Sequence, residues 1–152
     1  MPRGRSFAAD AAAASELSTV FLPSTTTTTL RCYLAQLPEE SLAGVECAIG
    51  AVRATLSEPP PACGCRHCSL ERALDRITAR VMRADGATSS KKCKRSLRKA
   101  RRATKALRAR VASMRRRNCL TPADRVARLD SEVVDLARRT RALHKSRFCA
   151  SK

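Results

Sequence analysis

The sequence predicts an all-α protein, made of long amphipathic helices that form a helical hairpin or coiled coil behind a disordered N-terminal arm. Three observations predict it. Apolar residues recur at alternating three- and four-residue intervals in four separate stretches beyond residue 40, which is the period of a helical seam. Aromatic residues make up only 3% of the chain and Trp is absent, so thin helix–helix seams are within reach but a thick core is not. Five glycines and three phenylalanines are too few for a β-sandwich or barrel.

Residues 1–29 read as the arm. Pro2, Gly4, the alanines 11–14 and the threonines 25–29 bury too little surface to offset the entropy of ordering. Residues 30–61 read as N-terminal helices. Leu30, Leu34 and Leu37 share a face, and Pro38 suits the first turn of a new helix with Glu39 and Glu40 at its positive end. Leu42, Val45, Ile49, Val52 and Leu56 then form a seam, ended by Pro59, Pro60 and Pro61.

Residues 62–90 read as a cysteine-rich loop and a short helix. Ser69 is placed to cap that helix, and Leu70, Leu74, Ile77 and Val81 form its seam. Asp85-Gly86 and Ser89-Ser90 break it.

Residues 91–148 read as a basic helix followed by a C-terminal heptad helix. The first carries the seam Leu97, Ala100, Thr104, Leu107, Val111 and Met114, whose small members permit close approach but bury less than leucine would. Thr121, Pro122 and Asp124 have the pattern of a cap, a first-turn proline and an acidic third position. The last seam is Val126, Leu129, Val133, Leu136, Thr140 and Leu143. Asp130, Glu132 and Asp135 alternate with Arg128, Arg138 and Arg139 on the expected outer face, and Asp135 precedes Arg139 by a favourable four residues. Leu97, Leu107, Val111, Met114, Val126, Leu129, Val133, Leu136 and Leu143 are thus the expected seam of a homo-oligomer. An antiparallel hairpin within one chain would use the same heptads.

Charge is the main functional signal. Lys and Arg number 31 against 13 Asp and Glu, a net charge of +18, and a polyanion is the natural complement. The excess is concentrated. Lys91, Lys92, Lys94, Arg95, Arg98, Lys99, Arg101, Arg102, Lys105, Arg108, Arg110, Arg115, Arg116 and Arg117 fall in one stretch without an acidic residue. A helix rises about 1.5 Å per residue and a duplex offers a charge per ~1.7 Å, so the densities match. Arginine predominates, which favours bidentate phosphate binding. No aromatic stacks bases there, and no Asn or Gln within the run reads adenine. The expected function is therefore polyanion binding, with nucleic acid foremost and largely independent of sequence. Sulfated glycan is the alternative. A basic leucine zipper is excluded because Pro122 opens a new helix where that architecture needs one unbroken helix.

Catalysis is not expected. The chain has two histidines, no glycine-rich phosphate loop and no carboxylate pair in an apolar setting. No run of eighteen apolar residues predicts a transmembrane helix. Arg3 and Arg5 before an alanine run have the outline of a secretory signal, but Asp10 and Glu16 speak against it. Lys91-Lys-Cys-Lys-Arg95 matches a simple nuclear-import pattern. The expected location is the nucleus or cytoplasm of an infected or host cell, with a virion as the alternative.

The eight cysteines leave three readings open. Cys63, Cys65 and Cys68, with His67 among them, have spacings that suit a tetrahedral zinc, completed by Cys93 or Cys47. Structural or interchain disulfides are the second reading and free thiols the third. Cys93 and Cys119 flank the basic helix, where positive charge favours thiol exchange, so Cys119 is the candidate for an interchain disulfide to a partner protein.

The stretch Cys119–Lys145 resembles the C-terminal coil of the poxvirus trimeric envelope attachment and fusion proteins. The likeness rests on Cys119 before a heptad helix, the step Arg128-Leu129-Asp130, and Leu136 and Leu143 a heptad apart. It covers about 27 residues of the 152. That family usually shows two adjacent cysteines where this chain has one. The resemblance implies a virion coiled coil whose basic residues bind sulfated glycan and whose Cys119 tethers an envelope partner. The Ala/Arg-rich style suits a virus with a GC-rich genome.

Overall fold

A computed structural model describes residues 37–58, 66–117 and 123–152, without the side chains of 66–68. The arm, the Leu30–Leu34 face, the three prolines 59–61, Cys119 and the Thr121-Pro122 cap lie outside the described residues. Four helices follow one another: α1 (Leu42–Leu56), α2 (Arg66–Asp85), α3 (Ser90–Arg116) and α4 (Ala123–Lys145), with a short 3-10 helix at Arg147–Ser151. No strand occurs among the described residues.

Each helix buries the face its periodicity marks. Val45, Ile49, Val52 and Leu56 of α1 meet Leu70, Leu74, Ile77 and Val81 of α2 in one cluster. Leu97, Leu107, Val111 and Met114 of α3 join Val126, Leu129, Val133, Leu136 and Leu143 of α4 in that same cluster. The segments read as separate units in the sequence therefore share one core. The nine residues expected to form an oligomer seam are all buried within a single chain, which corrects that reading. They face α1 and α2 instead of a second copy, because the two N-terminal helices supply the apolar surface a partner would have supplied.

Contacts across the seams give the directions. Arg53 of α1 pairs with Asp75 of α2, and Arg110 of α3 donates to the Ser69 carbonyl of α2. Arg115 of α3 pairs with Asp130 of α4, while the start of α3 is joined to the residues just after α4 by the Cys93–Cys149 disulfide. Arg125, near the start of α4, reaches the end of α1. Neighbours are thus antiparallel, and the chain is an up-down-up-down bundle of four helices.

Local chemistry adjusts two expected boundaries and one expected face. Pro38 lies in a turn, and α1 begins after Ser41, whose Oγ accepts from the Gly44 amide at 3.0 Å and donates to the Pro38 carbonyl at 2.7 Å. That serine is a better N-terminal cap than the glutamates that follow Pro38. Gly44 is required there: a Cβ would lie 2.6 Å from the Pro38 carbonyl and 2.8 Å from Arg139 Nη1. α2 begins at Arg66, so Ser69 is inside the helix and does not cap it. Glu132 and Arg139, expected on the outer face of α4, are buried on the side that meets α1. The buried hydroxyls of Thr104 and Thr140 are satisfied within their own helices by the carbonyls of Ala100 and Leu136, so neither leaves an orphan donor.

Candidate functional site

The seam of α3 sets where its charges go. Cys93, Leu97, Ala100, Thr104, Leu107, Val111 and Met114 occupy the inward positions. Every one of the fourteen cations from Lys91 to Arg117 is exposed. Arg110 contacts the Ser69 carbonyl and Arg115 contacts Asp130 at 3.4 Å. The remaining twelve have no carboxylate within ion-pairing distance among the described residues. The acids lie elsewhere. Glu39 and Asp135 pair with Arg138, Asp135 with Arg139, Glu58 with Arg125 and Arg128, Asp75 with Arg53, and Asp85 with Lys152.

The cationic surface is wider than one helix. Arg72, Arg76, Arg80 and Arg83 follow Ser69 along α2 at intervals of three, four, four and three, so they run down the edge of α2 that meets α3. None of them has a carboxylate partner among the described residues. The opposite edge of α2 is acidic: Glu71 and Asp75 face Arg53 of α1 across a small recess. On the other side of α3, a groove of about 510 Å³ separates it from α4. Arg101, Arg102, Lys105 and Arg108 line one wall, with Ala137 and Arg141 of α4 on the other. The α2 arginines and Arg141 were missed in reading the sequence. The spacing of the α2 arginines was visible, but Glu71, Asp75 and Asp85 interleave with them, so no run of charge marks them; Arg141 falls in the acid-free stretch after Asp135, and that stretch was its signal.

His144 lies about one helical turn beyond Arg141 on α4. Burial lowers its pKa, and the charges of Arg101, Arg98 and Lys94 lower it further. It is therefore neutral at neutral pH, and its Nδ1 is buried without a hydrogen-bond partner. The three cations that act on it mark how close the α3 row comes to the C-terminal half of α4.

No protein-family model, curated protein or solved structure matches the chain. The leucines that carry the resemblance to the poxvirus coil, Leu129, Leu136 and Leu143, point into the chain's own core.

The cysteine readings change. Cys93 is bonded to Cys149, with Cα atoms 5.6 Å apart and 56 residues between them in sequence. Cys47 is also disulfide-bonded. A disulfide sulfur offers no thiolate, so neither residue serves as the fourth ligand expected for zinc. Cys63 and Cys65, and the side chain of Cys68, lie outside the described residues, as does Cys119. No metal-binding cluster occurs among the described residues. No described helix is long and apolar enough to cross a membrane.

Proposed function

We propose that this is a non-enzymatic polyanion-binding protein whose α3 face grips nucleic acid through phosphates, largely irrespective of base sequence. The observation that carries this reading is the set of twelve exposed, unpaired cations on one helix. Folding does not account for them. Lys91, Lys92 and Lys94 lie at the N-terminal end of α3, where the helix dipole disfavours positive charge, and no acidic residue occupies its first turn. Such a concentration lowers stability through self-repulsion and is relieved by a bound anion. Among the described residues, Glu39, Glu58, Asp75, Asp85 and Asp135 are engaged by cations outside α3.

A second reading, a virion or cell-surface protein binding sulfated glycan, is favoured by one observation. The Cys93–Cys149 bond is buried, and Cys47 is also oxidised. Stable disulfides belong to oxidising compartments more than to the nucleus or cytosol, which weighs against the location expected from the import-like motif.

Elution from duplex DNA and heparin columns at matched salt tests both. The proposal expects a DNA preference, and the triple variant R101E/R102E/K105E should lose retention on DNA with its helical circular dichroism unchanged. Retention unaffected by that variant would remove α3 from the mechanism. Preference for heparin would favour the second reading.

A further inference from the structure

The α3/α4 groove is an open recess in the cationic surface. Across it, cations of two helices face each other. Arg101, Lys105 and Arg108 follow one another at three- to four-residue spacing, roughly one helical turn or about 5.4 Å apart, and Arg141 opposes them from α4. Ala137, the smallest side chain in the lining, leaves the space between the walls open. No acidic residue lines it among the described residues.

We infer that this groove seats one sugar–phosphate strand of a nucleic-acid duplex, with Arg141 of α4 a binding residue equal in standing to the α3 cations. The inference rests on the polyanion reading above and adds where the anion lies. Cations of both helices flank the recess, so a single backbone strand lies along it and the body of the duplex rests outside. A strand clamped from two sides gains phosphate contacts that a convex helix cannot give it. Isolated single strands fit less well. Their binding sites rely on aromatic platforms for the bases, and the one Phe, Tyr or Trp among the described residues, Phe148, lies at the C-terminal turn with the Lys152 ammonium 5.4 Å from its centre. In a duplex the bases are already stacked on each other, and only the backbone needs partners.

The test uses the full chain and a 16-base-pair DNA duplex, with a heparin fragment of similar length as the second probe. Arg141→Ala should weaken duplex binding about tenfold and reduce the salt slope by about one. Ala137→Glu, which puts a carboxylate between the walls, should weaken it at least as much, while Ala137→Gln should bind like the parent. Removing two cations from the opposite side of α3, in Lys92→Ala/Lys99→Ala, should have a smaller effect than Arg141→Ala alone. If Lys92→Ala/Lys99→Ala costs more affinity than either Arg141→Ala or Ala137→Glu, the groove is not the seat, although polyanion binding stands. If Arg141→Ala and Ala137→Glu weaken heparin and leave the duplex unaffected, the strand in the groove is a sulfated chain and the inference is wrong about its occupant. If the unmodified chain binds no duplex, the underlying reading fails with it.

Discussion

The α1–α4 seam and the outer face of α3 are both built with arginine, and they use it in opposite ways. At the seam, Arg125 is only 4% exposed and donates to the carbonyls of Thr55 and Glu58 while it faces the Glu58 carboxylate at 3.6 Å. Arg139 is 3% exposed and bonds the Leu37 carbonyl and Asp135. These guanidinium groups close the open ends of α1: Arg125 takes up carbonyls at its C-terminal end, and Arg139 holds the turn that leads into it. On α3, all arginines except Arg110 and Arg115 stand in solvent with no carboxylate partner among the described residues. The difference teaches that arginine count does not define the site. What separates a structural arginine from a binding one here is whether a carboxylate or an orphan carbonyl meets it.

If that division is right, substitutions in one region should leave the property of the other untouched. The largest effect on stability is expected where the charged helix is held down. Replacing Cys93 and Cys149 with alanine opens a loop of 56 residues and should lower stability by about 4 kcal/mol in denaturant titration. The loss should be greatest at low ionic strength, where the α3 cations repel one another unscreened. A loss independent of salt would show that repulsion within α3 is too weak to matter.

At the seam, Arg125→Ala should cost about 3 kcal/mol, because it leaves the buried carbonyls at the end of α1 without their donor, while Glu58 keeps its pairing with Arg128. Duplex affinity should stay unchanged in that variant. A fall in affinity in protein shown to be folded would mean that the two regions are not separate.

A smaller loss, about 2 kcal/mol, is expected for Asp135→Asn, since Asp135 is partly solvated and the figure for fully buried pairs is higher. Burial alone would raise the pKa of Asp135, but hydrogen bonds from Arg138 and Arg139, with their charges, outweigh it and hold the pKa below its ordinary value. A depressed carboxylate stabilises the fold above its unfolded pKa of about 3.8 and loses that contribution as pH falls through its folded value. The gap between parent and Asp135→Asn should therefore be constant at neutral pH and shrink below about pH 4. A gap that persists in acid would mean the carboxylate charge is not what the seam uses.

The smallest effect is spectroscopic. A polyanion in the groove neutralises Arg101, one of the cations that hold the His144 pKa down, so the His144 resonance should titrate at higher pH with duplex bound than without it. No movement would place the ligand away from α4.

Much of the fold was legible because heptads encode burial directly. Leu70, Leu74, Ile77 and Val81, and the seams of α3 and α4, lie where their spacing put them. Spacing could not reveal what those seams face, since a leucine stripe is equally satisfied by a second copy or by α1 and α2. The cationic run was legible because it is contiguous. The arginine edge of α2 was hidden by Glu71, Asp75 and Asp85, which share its stretch of sequence but, in the case of Glu71 and Asp75, lie on its opposite edge. Burial of Arg125 and Arg139 depends on where α1 ends, and the Cys93–Cys149 link joins residues far apart in the chain. Neither leaves a local signature.

The central claim is that unpaired charge on α3 is neutralised by phosphates. The most direct measurement is duplex affinity as a function of salt between 50 and 200 mM. With about six to ten phosphates engaged, log K should fall against log salt with a slope of about −5 to −9. A slope shallower than about −2 would leave most of those twelve cations without a role in binding and would contradict the account.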